Sequence, residues 1–214
     1  MKKRVDLVSG NIIGTLITLS LPILGTSFIQ MAYNLVDMIW IGKAGSAAVA
    51  AIGTAGFFSW FGNSLVLITK TGAEVGVSQS IGKNDECERN SYIYSSITLA
   101  LIMAIVYTVI LILFKKELIG FFNLGDVEII KMSLDYLIII ALGMICAFLN
   151  PQFTGIFTAS GNSKTPFIVN TIGLIVNIVL DPILIFGIGK VSPLGVKGAA
   201  LATVLSQLLV TIIF

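Results

Sequence analysis

The sequence predicts an all-α integral membrane protein built as a bundle of six transmembrane helices. Of its 214 residues, 56% are hydrophobic and only 11% are charged, whereas a soluble domain carries about 25% charged residues. The hydrophobic residues fall into six runs, and a helix needs about 20 apolar residues to cross a bilayer. Polar residues inside these runs recur at helical spacing, which indicates faces that turn toward a shared interior.

The six predicted spans are separated by short polar segments. In chain order they cover residues 12–41, 47–81, 91–114, 134–157, 167–188 and 199–214. The segments after the second to fifth spans contain "GKNDECERN", "KKELIGFFNLGDVE", "ASGNSKTP" and "GKVSPLGVKG". The sixth span is still apolar at Phe214, where a finished helix usually reaches a polar or basic flank. We therefore expect the chain to be one part of a longer polypeptide, or to need a second chain.

The N-terminal charges favour one orientation in the membrane. Lys2, Lys3 and Arg4 precede the first span, and positive residues are enriched on the cytoplasmic side. The apolar run that follows is too long for a cleavable signal sequence, and no small-residue cleavage site follows it. We expect a multi-pass protein of the cell (cytoplasmic) membrane, with a cytoplasmic N-terminus and cytoplasmic loops at 82–90 and 158–164.

Composition and residue types exclude several classes of function. A net charge of +2 without a basic stripe gives no indication of nucleic-acid binding. The sequence contains no histidine, so histidine proton relays, Ser-His-Asp or Cys-His dyads and histidine metal sites are ruled out. Cys87 lies in a polar loop and Cys146 in an apolar run, which makes a disulfide framework an unattractive interpretation. The sequence thus predicts neither an enzyme nor an organic cofactor.

Polar stripes within the spans are the main indication of function. Gln30, Tyr33, Asn34 and Asp37 follow i, i+3, i+4, i+7 spacing, which places them on one face of the first helix. Three further spans carry similar stripes: Tyr136, Gly143 and Asn150 in the fourth, Asn170, Asn177 and Asp181 in the fifth, and Thr203, Ser206 and Gln207 in the sixth. Hydrogen-bonding between helices, worth about 0.6 kcal/mol each, would explain the hydroxyl groups.

Asp37 and Asp181 are harder to explain as structural residues. A carboxylate at the centre of a spanning helix costs about 2.5–3.5 kcal/mol on insertion scales, and neither acid has an adjacent basic residue in its own helix. The first and fifth helices run in the same direction, so the two acids are expected at similar depth. They could then share one cavity.

The stretch "NIVLDPILIF" adds further oxygen ligands to the second acid. Pro182 has no N–H, so the carbonyl of Ile178 loses its helical partner and the helix is expected to break or kink beside Asn177 and Asp181. Pro151 repeats this device in the fourth helix. Oxygen ligands suit hard cations, and neighbouring carboxylates also suit proton exchange. Two interpretations remain open for the ion: a Na⁺ site at Asp37, Asn177 and Asp181, or a proton site. The proline kink itself is structural about as often as it is functional.

Lys70 and Glu74 form the other charge pair within a predicted span. Their i, i+4 spacing on the second helix allows each to neutralise the other. A structural ion pair is the favoured interpretation, with a role as an inner gate as the alternative.

The residues also resemble a known family. "LSLPILGTSFIQMAYNLVDMIWIG", "GAEVGVSQSIGKND", "GNSKTP" and "NIVLDPILIFG…GVKGAALATVLSQ" are similar, in order and spacing, to the N-terminal half of multidrug and toxic compound extrusion (MATE) transporters, especially prokaryotic DinF-like members. The resemblance covers nearly the whole chain. It implies one six-helix lobe, half of a twelve-helix fold, that works with a second six-helix lobe in the bilayer.

The resemblance further implies a cation-coupled antiporter that exports cationic lipophilic drugs or toxins. The residues it assigns to coupling-ion (Na⁺ or H⁺) binding are Asp37, Asn177, Asp181, Asn150 and Thr203. Together with the polar stripes, it places Gln30, Tyr33, Asn34, Tyr136 and Asn170 in the substrate cavity. Two alternatives stay open: a lipid-linked oligosaccharide flippase of the same superfamily, which should need a basic cavity for a phosphate head group, and a purely structural membrane bundle.

Overall fold

The computed structural model describes residues 12–187 and 192–214, and within them the chain is entirely helical apart from short connections. The helices in chain order are α1 (Ile12–Ala44), α2 (Ser46–Gly82), α3 (Glu86–Leu113), α4 (Lys115–Gly120), α5 (Val127–Ala159), α6 (Lys164–Phe186) and α7 (Val196–Ile213). All except α4 are long and apolar enough to cross a membrane. The predicted fold class, an all-α membrane protein with six spans, is confirmed.

Two helices begin earlier than the apolar runs predict, because acidic residues cap them. Asp85 accepts a hydrogen bond from the backbone N–H of Glu88 at 2.9 Å, so α3 starts at Glu86 rather than at residue 91. Asp126 accepts one from the N–H of Glu128 at 2.7 Å, and α5 starts at residue 127 rather than 134. An acidic side chain at this position satisfies an N–H that has no partner within the helix. The loop predicted at 82–90 is correspondingly shorter.

The short helix α4 was not predicted from the sequence. It has only six residues, Lys115–Gly120, which is too few for an apolar period to be recognised. Ile119 anchors it in the core with 1% of its surface exposed. The segment between the third and fourth spans is therefore partly ordered by packing rather than being only a polar loop.

The helices do not break at their prolines. Pro22, Pro151 and Pro182 each lie inside a continuous helix, α1, α5 and α6 respectively. The sequence predicts a break or a kink at the last two positions, and the prediction of a break is wrong. A proline removes one hydrogen bond, and neighbouring helices in a bundle can hold the chain helical on both sides of the missing bond.

Helix α5 lies at the centre of the bundle and packs on α2, α3 and α7, while α6 packs on α1 and α7. Phe148 and Leu137 of α5 are completely buried. The Tyr107 hydroxyl of α3 donates to the Phe58 carbonyl of α2 at 2.6 Å, and the Thr108 hydroxyl donates to the Ala141 carbonyl of α5 at 3.0 Å. These bonds tie three helices together through backbone carbonyls.

Helix α1 is the least covered of the long helices. Large apolar side chains such as Leu21 and Phe28 leave about 70% of their surface exposed (69% and 70%). Its contacts are mainly with α6, and those with α2 are few. The polar stripe of α1 therefore faces a space that the other described helices only partly close.

Helices α6 and α7 meet backbone to backbone beside the second predicted acid. A Cβ atom added at Gly198 would lie 2.3 Å from the carbonyl oxygen of Leu184, so only glycine permits this approach. The carbonyls of Leu184 and Ile185 accept hydrogen bonds from the N–H groups of Leu194 and Gly195, both at 3.0 Å. The end of α6 is thus fixed one helical turn after Asp181.

Gln152 is a buried polar residue of α5 for which the described residues supply no partner. Its side chain is completely buried, and neither Nε2 nor Oε1 makes a hydrogen bond there. A buried group without a partner costs about 1–3 kcal/mol. We therefore expect Gln152→Met, which is similar in size and apolar, to raise the thermal unfolding midpoint in detergent.

Asn150→Leu is the matched comparison for this substitution. Asn150 lies two residues away on α5 and makes three side-chain hydrogen bonds. Losing these bonds should lower the thermal unfolding midpoint. A midpoint for Gln152→Met that falls as far as that of Asn150→Leu would mean that the Gln152 amide has a partner, such as an internal water, and would refute the expectation.

Candidate functional site

A cavity of about 440 Å³ lies between α1, α2, α5 and α7. Its polar lining comes from every one of these helices, with one residue from α6. The polar side chains that line it are Gln30, Tyr33, Asn34, Asp37, Ser59, Asn63, Lys70, Tyr136, Asn150, Thr154, Asn170, Thr203 and Gln207. Apolar side chains, among them Leu67 and Met144, fill the remaining wall, so the space can hold a molecule with both polar and apolar parts.

Most of the residues singled out in the sequence lie on this wall. The lining includes Asp37, Asn150, Thr203, Gln30, Tyr33, Asn34, Tyr136 and Asn170. Asn177 and Asp181 do not line it, because they are buried behind Asp37 with 0% and 1% of their surface exposed. The structure thus divides the predicted residues between an accessible wall and a buried group behind it. We call this buried group, Asn177 and Asp181, the closed pocket.

Asp37 connects the wall to the closed pocket. Its carboxyl group interacts electrostatically with Asp181 and Asn177 on α6. Thr203 on α7 donates to Asp37 Oδ2 at 3.5 Å, and Asn177 Nδ2 donates to Asp181 Oδ1 at 3.4 Å. The parallel course of α1 and α6 brings the two carboxyl groups to one level, as their positions in the sequence predict.

The side chains of Asp37, Asn177 and Asp181 present more acceptor oxygens than there are donors. Asp37 Oδ1, Asn177 Oδ1 and Asp181 Oδ2 have no hydrogen-bond donor among the described residues. Leaving such groups without a partner is costly, and more so when they are charged. Two carboxyl groups and an amide oxygen that face one another require either a cation between them or a proton on one of them. The residues present therefore fit a small hard cation, which prefers oxygen ligands.

A second hydrogen-bonded cluster lies about one helical turn along α7. Asn150 Nδ2 donates to the carbonyl oxygen and to Oε1 of Gln207, at 2.9 and 2.6 Å. Thr211 donates to Asn150 Oδ1 at 2.8 Å. The structure thus brings Asn150 to Gln207 and Thr211 rather than to the two acids, and each of its polar atoms already has a partner.

Tyr33 joins α1 to α7 between these two clusters. Its hydroxyl group is hydrogen-bonded to that of Ser206, which in turn donates to the Ala202 carbonyl at 2.7 Å. Asn170 donates to the Pro166 carbonyl at 2.7 Å and lies 3.5 Å from the Thr154 hydroxyl. These bonds orient the polar wall around the cavity.

Helix α2 contributes cavity residues that the sequence analysis did not assign to it. Ser59, Asn63 and Lys70 face the cavity at i, i+4 and i+11, a helical stripe that could have been recognised. The predicted ion pair is present, since Lys70 Nζ lies 3.6 Å from Glu74 Oε1. Lys70 also lines the cavity, which its pairing with a neighbour on the same helix did not suggest.

Comparison with known proteins decides the family. The MatE family model matches residues 22–183, most of the chain. The chain belongs to the MATE family. It is 29% identical over 192 residues to the "Probable multidrug resistance protein NorM" of Thermotoga maritima, covering 90% of this chain and 41% of that protein. It is 26% identical over 208 residues to the "FAD transporter" of Shewanella oneidensis, covering 97% and 46%.

Solved MATE structures share the fold. The crystal structure of MATE in complex with MaD3S superposes with a TM-score of 0.90 at 27% identity, covering 99% of this chain and 47% of that one. The chain thus spans about half the length of the MATE proteins it matches. The six spanning helices correspond to one part of the MATE fold, as the resemblance implied.

Proposed function

We propose that this chain is the ion-binding lobe of a cation-coupled antiporter that exports cationic lipophilic molecules. The observation that carries the proposal is the set of donor-less oxygens of Asp37, Asn177 and Asp181, directly behind a cavity of about 440 Å³. A bound Na⁺ would coordinate these oxygens, and a proton on one carboxyl group would supply a donor to another. Coupling requires only that the ion and the substrate favour different conformational states.

Asp37 is the residue through which the two binding events would communicate. It lines the cavity and also interacts electrostatically with Asp181 behind it. When the ion binds, the charge of Asp37 is compensated, and the cavity loses its attraction for a cationic substrate. When the ion leaves, the acids regain their charge and the substrate can rebind. Thr203 keeps the carboxyl group of Asp37 oriented through its hydrogen bond.

The substrate class follows from the wall of the cavity. Apolar side chains alternate there with amide and hydroxyl groups, an arrangement suited to lipophilic molecules with a few polar groups. The Thermotoga relative is named a probable multidrug resistance protein, which supports the same class. The described residues that line the cavity form a binding wall of this kind, which suits transport.

The other lobe and the membrane complete the proposal. The relatives are about twice as long as this chain, and alternating access needs one bundle that moves against another. We therefore place a second six-helix lobe over the open side of the cavity. We also place the protein in the cell (inner) membrane, with a cytoplasmic N-terminus as the basic residues before α1 favour.

A flippase for lipid-linked oligosaccharides is less well supported. A phosphate head group calls for several basic residues, and Lys70 is the single basic residue among the described residues that line the cavity. A structural bundle is also disfavoured, since it gives no reason to retain three buried acceptors without donors.

The test is efflux of a monocationic dye from proteoliposomes that contain the full natural polypeptide. We expect efflux when an inward Na⁺ or H⁺ gradient is imposed and none when both gradients are collapsed. Imposing the gradients one at a time identifies the coupling ion. Equal dye movement with and without gradients would exclude a coupled antiporter. We further expect the six-helix chain alone to give no efflux.

A further inference from the structure

Lys70 is a charged cavity residue for which export of simple cations provides no role. It is the one cationic side chain among the described residues that line the cavity, and a positive charge there repels a cationic substrate. Its side chain retains 28% exposure. An amine placed in a partly apolar cavity needs an anionic partner, supplied by the protein or by a ligand.

Glu74 satisfies this need only in part. The separation between Lys70 Nζ and Glu74 Oε1 is 3.6 Å, and Lys70 donates no hydrogen bond to any of the described residues. Glu74 does not line the cavity, and its side chain is 35% exposed. The ammonium group therefore keeps its three N–H donors available on the cavity side.

The position of the Lys70 stem is set by a glycine on the neighbouring helix. A Cβ atom at Gly155 would lie 3.0 Å from Lys70 Cγ and 3.1 Å from Glu74 Cγ. Both side chains thus lie tightly against α5, so the ammonium group is held at the wall. A lysine free to reach the membrane surface would not need this contact.

Lys70 and Asp37, with Asp181 behind it, mark opposite ends of the cavity. Tyr136 interacts electrostatically with Asp37 and Asp181, whereas Thr154 directly precedes Gly155, the residue that lies against the Lys70 stem. Tyr136 and Thr154 are about 27 Å apart along α5 at 1.5 Å per residue. The cavity is thus negative at one end and positive at the other, with amide and hydroxyl groups between them.

We propose that Lys70 forms an anion subsite that accepts the carboxylate or phosphate group of an amphoteric substrate. The inference rests on the proposed export function and extends its substrates from monocations to molecules that also carry an acidic group. Glu74 acts as the competing anion that holds the ammonium in place until the substrate arrives. The charge-assisted hydrogen bond that the substrate acid gains is among the stronger polar interactions.

The test compares two dyes that differ only in the acid: rhodamine B, a zwitterion with a free carboxylate, and its ethyl ester, a monocation. Their Kd values are measured by fluorescence polarisation on the purified full natural polypeptide. Lys70→Gln should weaken binding of the acid by about tenfold or more, whereas binding of the ester should be unchanged or stronger because a repelling charge is removed. Lys70→Arg should retain acid binding, and Glu74→Gln, which removes the competitor, should strengthen it.

Two outcomes would overturn the anion subsite. One is that wild type and Lys70→Gln bind the acid with the same affinity, or that neither binds it measurably. The other is an equal loss for acid and ester in both Lys70→Gln and Glu74→Gln, which would assign the pair a purely structural or gating role. The ester separates this failure from a failure of the export proposal, because its ion-driven efflux does not involve Lys70. Absence of ester efflux would count against export, whatever the result for the acid.

Discussion

Asp181→Asn is expected to abolish Na⁺ binding and ion-driven efflux while the protein stays folded. The substitution preserves the shape of the side chain but replaces an acceptor oxygen by an NH₂ group, which can donate to Asp37 Oδ1. The closed pocket then loses one negative charge and gains a donor, so it no longer needs a cation. Calorimetric titration of Na⁺ at several pH values measures the loss directly.

The wild-type titration should also depend on pH in one direction. Protons and Na⁺ compete for the same carboxylate oxygens of Asp37 and Asp181, so Na⁺ affinity should fall as the pH is lowered. If the coupling ion is H⁺ alone, the titration shows no heat of Na⁺ binding. Wild type should then take up a proton, and Asp181→Asn should not. Either result supports an ion site at this pair.

Glu86→Gln is the control, because it removes one negative charge from an exposed residue at the start of α3. It should leave ion binding and efflux unchanged. Asp181→Asn should unfold at a midpoint no lower than wild type, since it supplies a donor to buried acceptors. Undiminished Na⁺ or proton binding in Asp181→Asn would refute the assignment of the ion site, and the buried acids would then have a structural role.

Asp37→Asn should differ from Asp181→Asn in its effect on substrate. Asp37 lines the cavity and Asp181 does not, so only Asp37 can contact a cationic substrate bound in the cavity. We infer that both variants lose ion binding, whereas Asp37→Asn also weakens binding of a monocationic dye directly. The two positions therefore separate ion binding from substrate binding.

The pairing of the two acids could be predicted because it depends on periodicity and direction alone. Asp37 and Asp181 lie on polar faces of two helices that run the same way, and counting residues places them at one level. Rotation about the helix axis is also set by the polar stripe, so the stripe of α1 faces the cavity. Such features need no knowledge of side-chain rotamers.

Features that depend on which side chains meet were not predictable. Asn150 turns to Gln207 and Thr211, one turn away from the acids, because several polar residues compete for it and the sequence does not rank them. Asn177 and Asp181 lie behind the wall rather than on it, because α6 is packed against both α1 and α7. The spacing of residues shows that they share one helix face, but not whether their side chains reach the cavity or stop behind another helix.

Lys70 was missed as a cavity residue for a different physical reason. An i, i+4 pair of opposite charges accounts for itself locally, so the sequence favours a structural ion pair for Lys70 and Glu74 over a role as an inner gate. The close contact with Gly155 of α5 is a tertiary feature.

The early starts of α3 and α5 likewise reflect side-chain caps that extend a helix into a polar segment beyond its apolar run.

Gly198→Ala is expected to be the most damaging small substitution in the described part of the bundle. Its new methyl group would lie 2.3 Å from the Leu184 carbonyl oxygen and 2.5 Å from the carbonyl carbon. Both are backbone atoms, so a rotamer change cannot relieve the collision and α7 must move away from α6. Overpacking of this kind costs about 1–3 kcal/mol and occasionally more, which should appear as a clear fall in the thermal unfolding midpoint.

The displacement should also reach the ion site. Leu184 lies three residues after Asp181, and the N–H groups of Leu194 and Gly195 hold this end of α6 in place. When α7 moves, Thr203 moves with it and its hydrogen bond to Asp37 is lost. We therefore expect Gly198→Ala to weaken Na⁺ or proton binding although it changes no charge and no ligand.

Gly72→Ala is the matched control for this experiment. A Cβ atom there meets no atom within 4 Å, and the residue lies inside α2, where alanine is favoured over glycine by about 1 kcal/mol. Its unfolding midpoint should equal or exceed that of wild type, with ion binding unchanged. A wild-type midpoint and ion affinity in Gly198→Ala would mean that the two helix backbones can separate without cost, and that their close approach does not maintain the geometry of the acid pair.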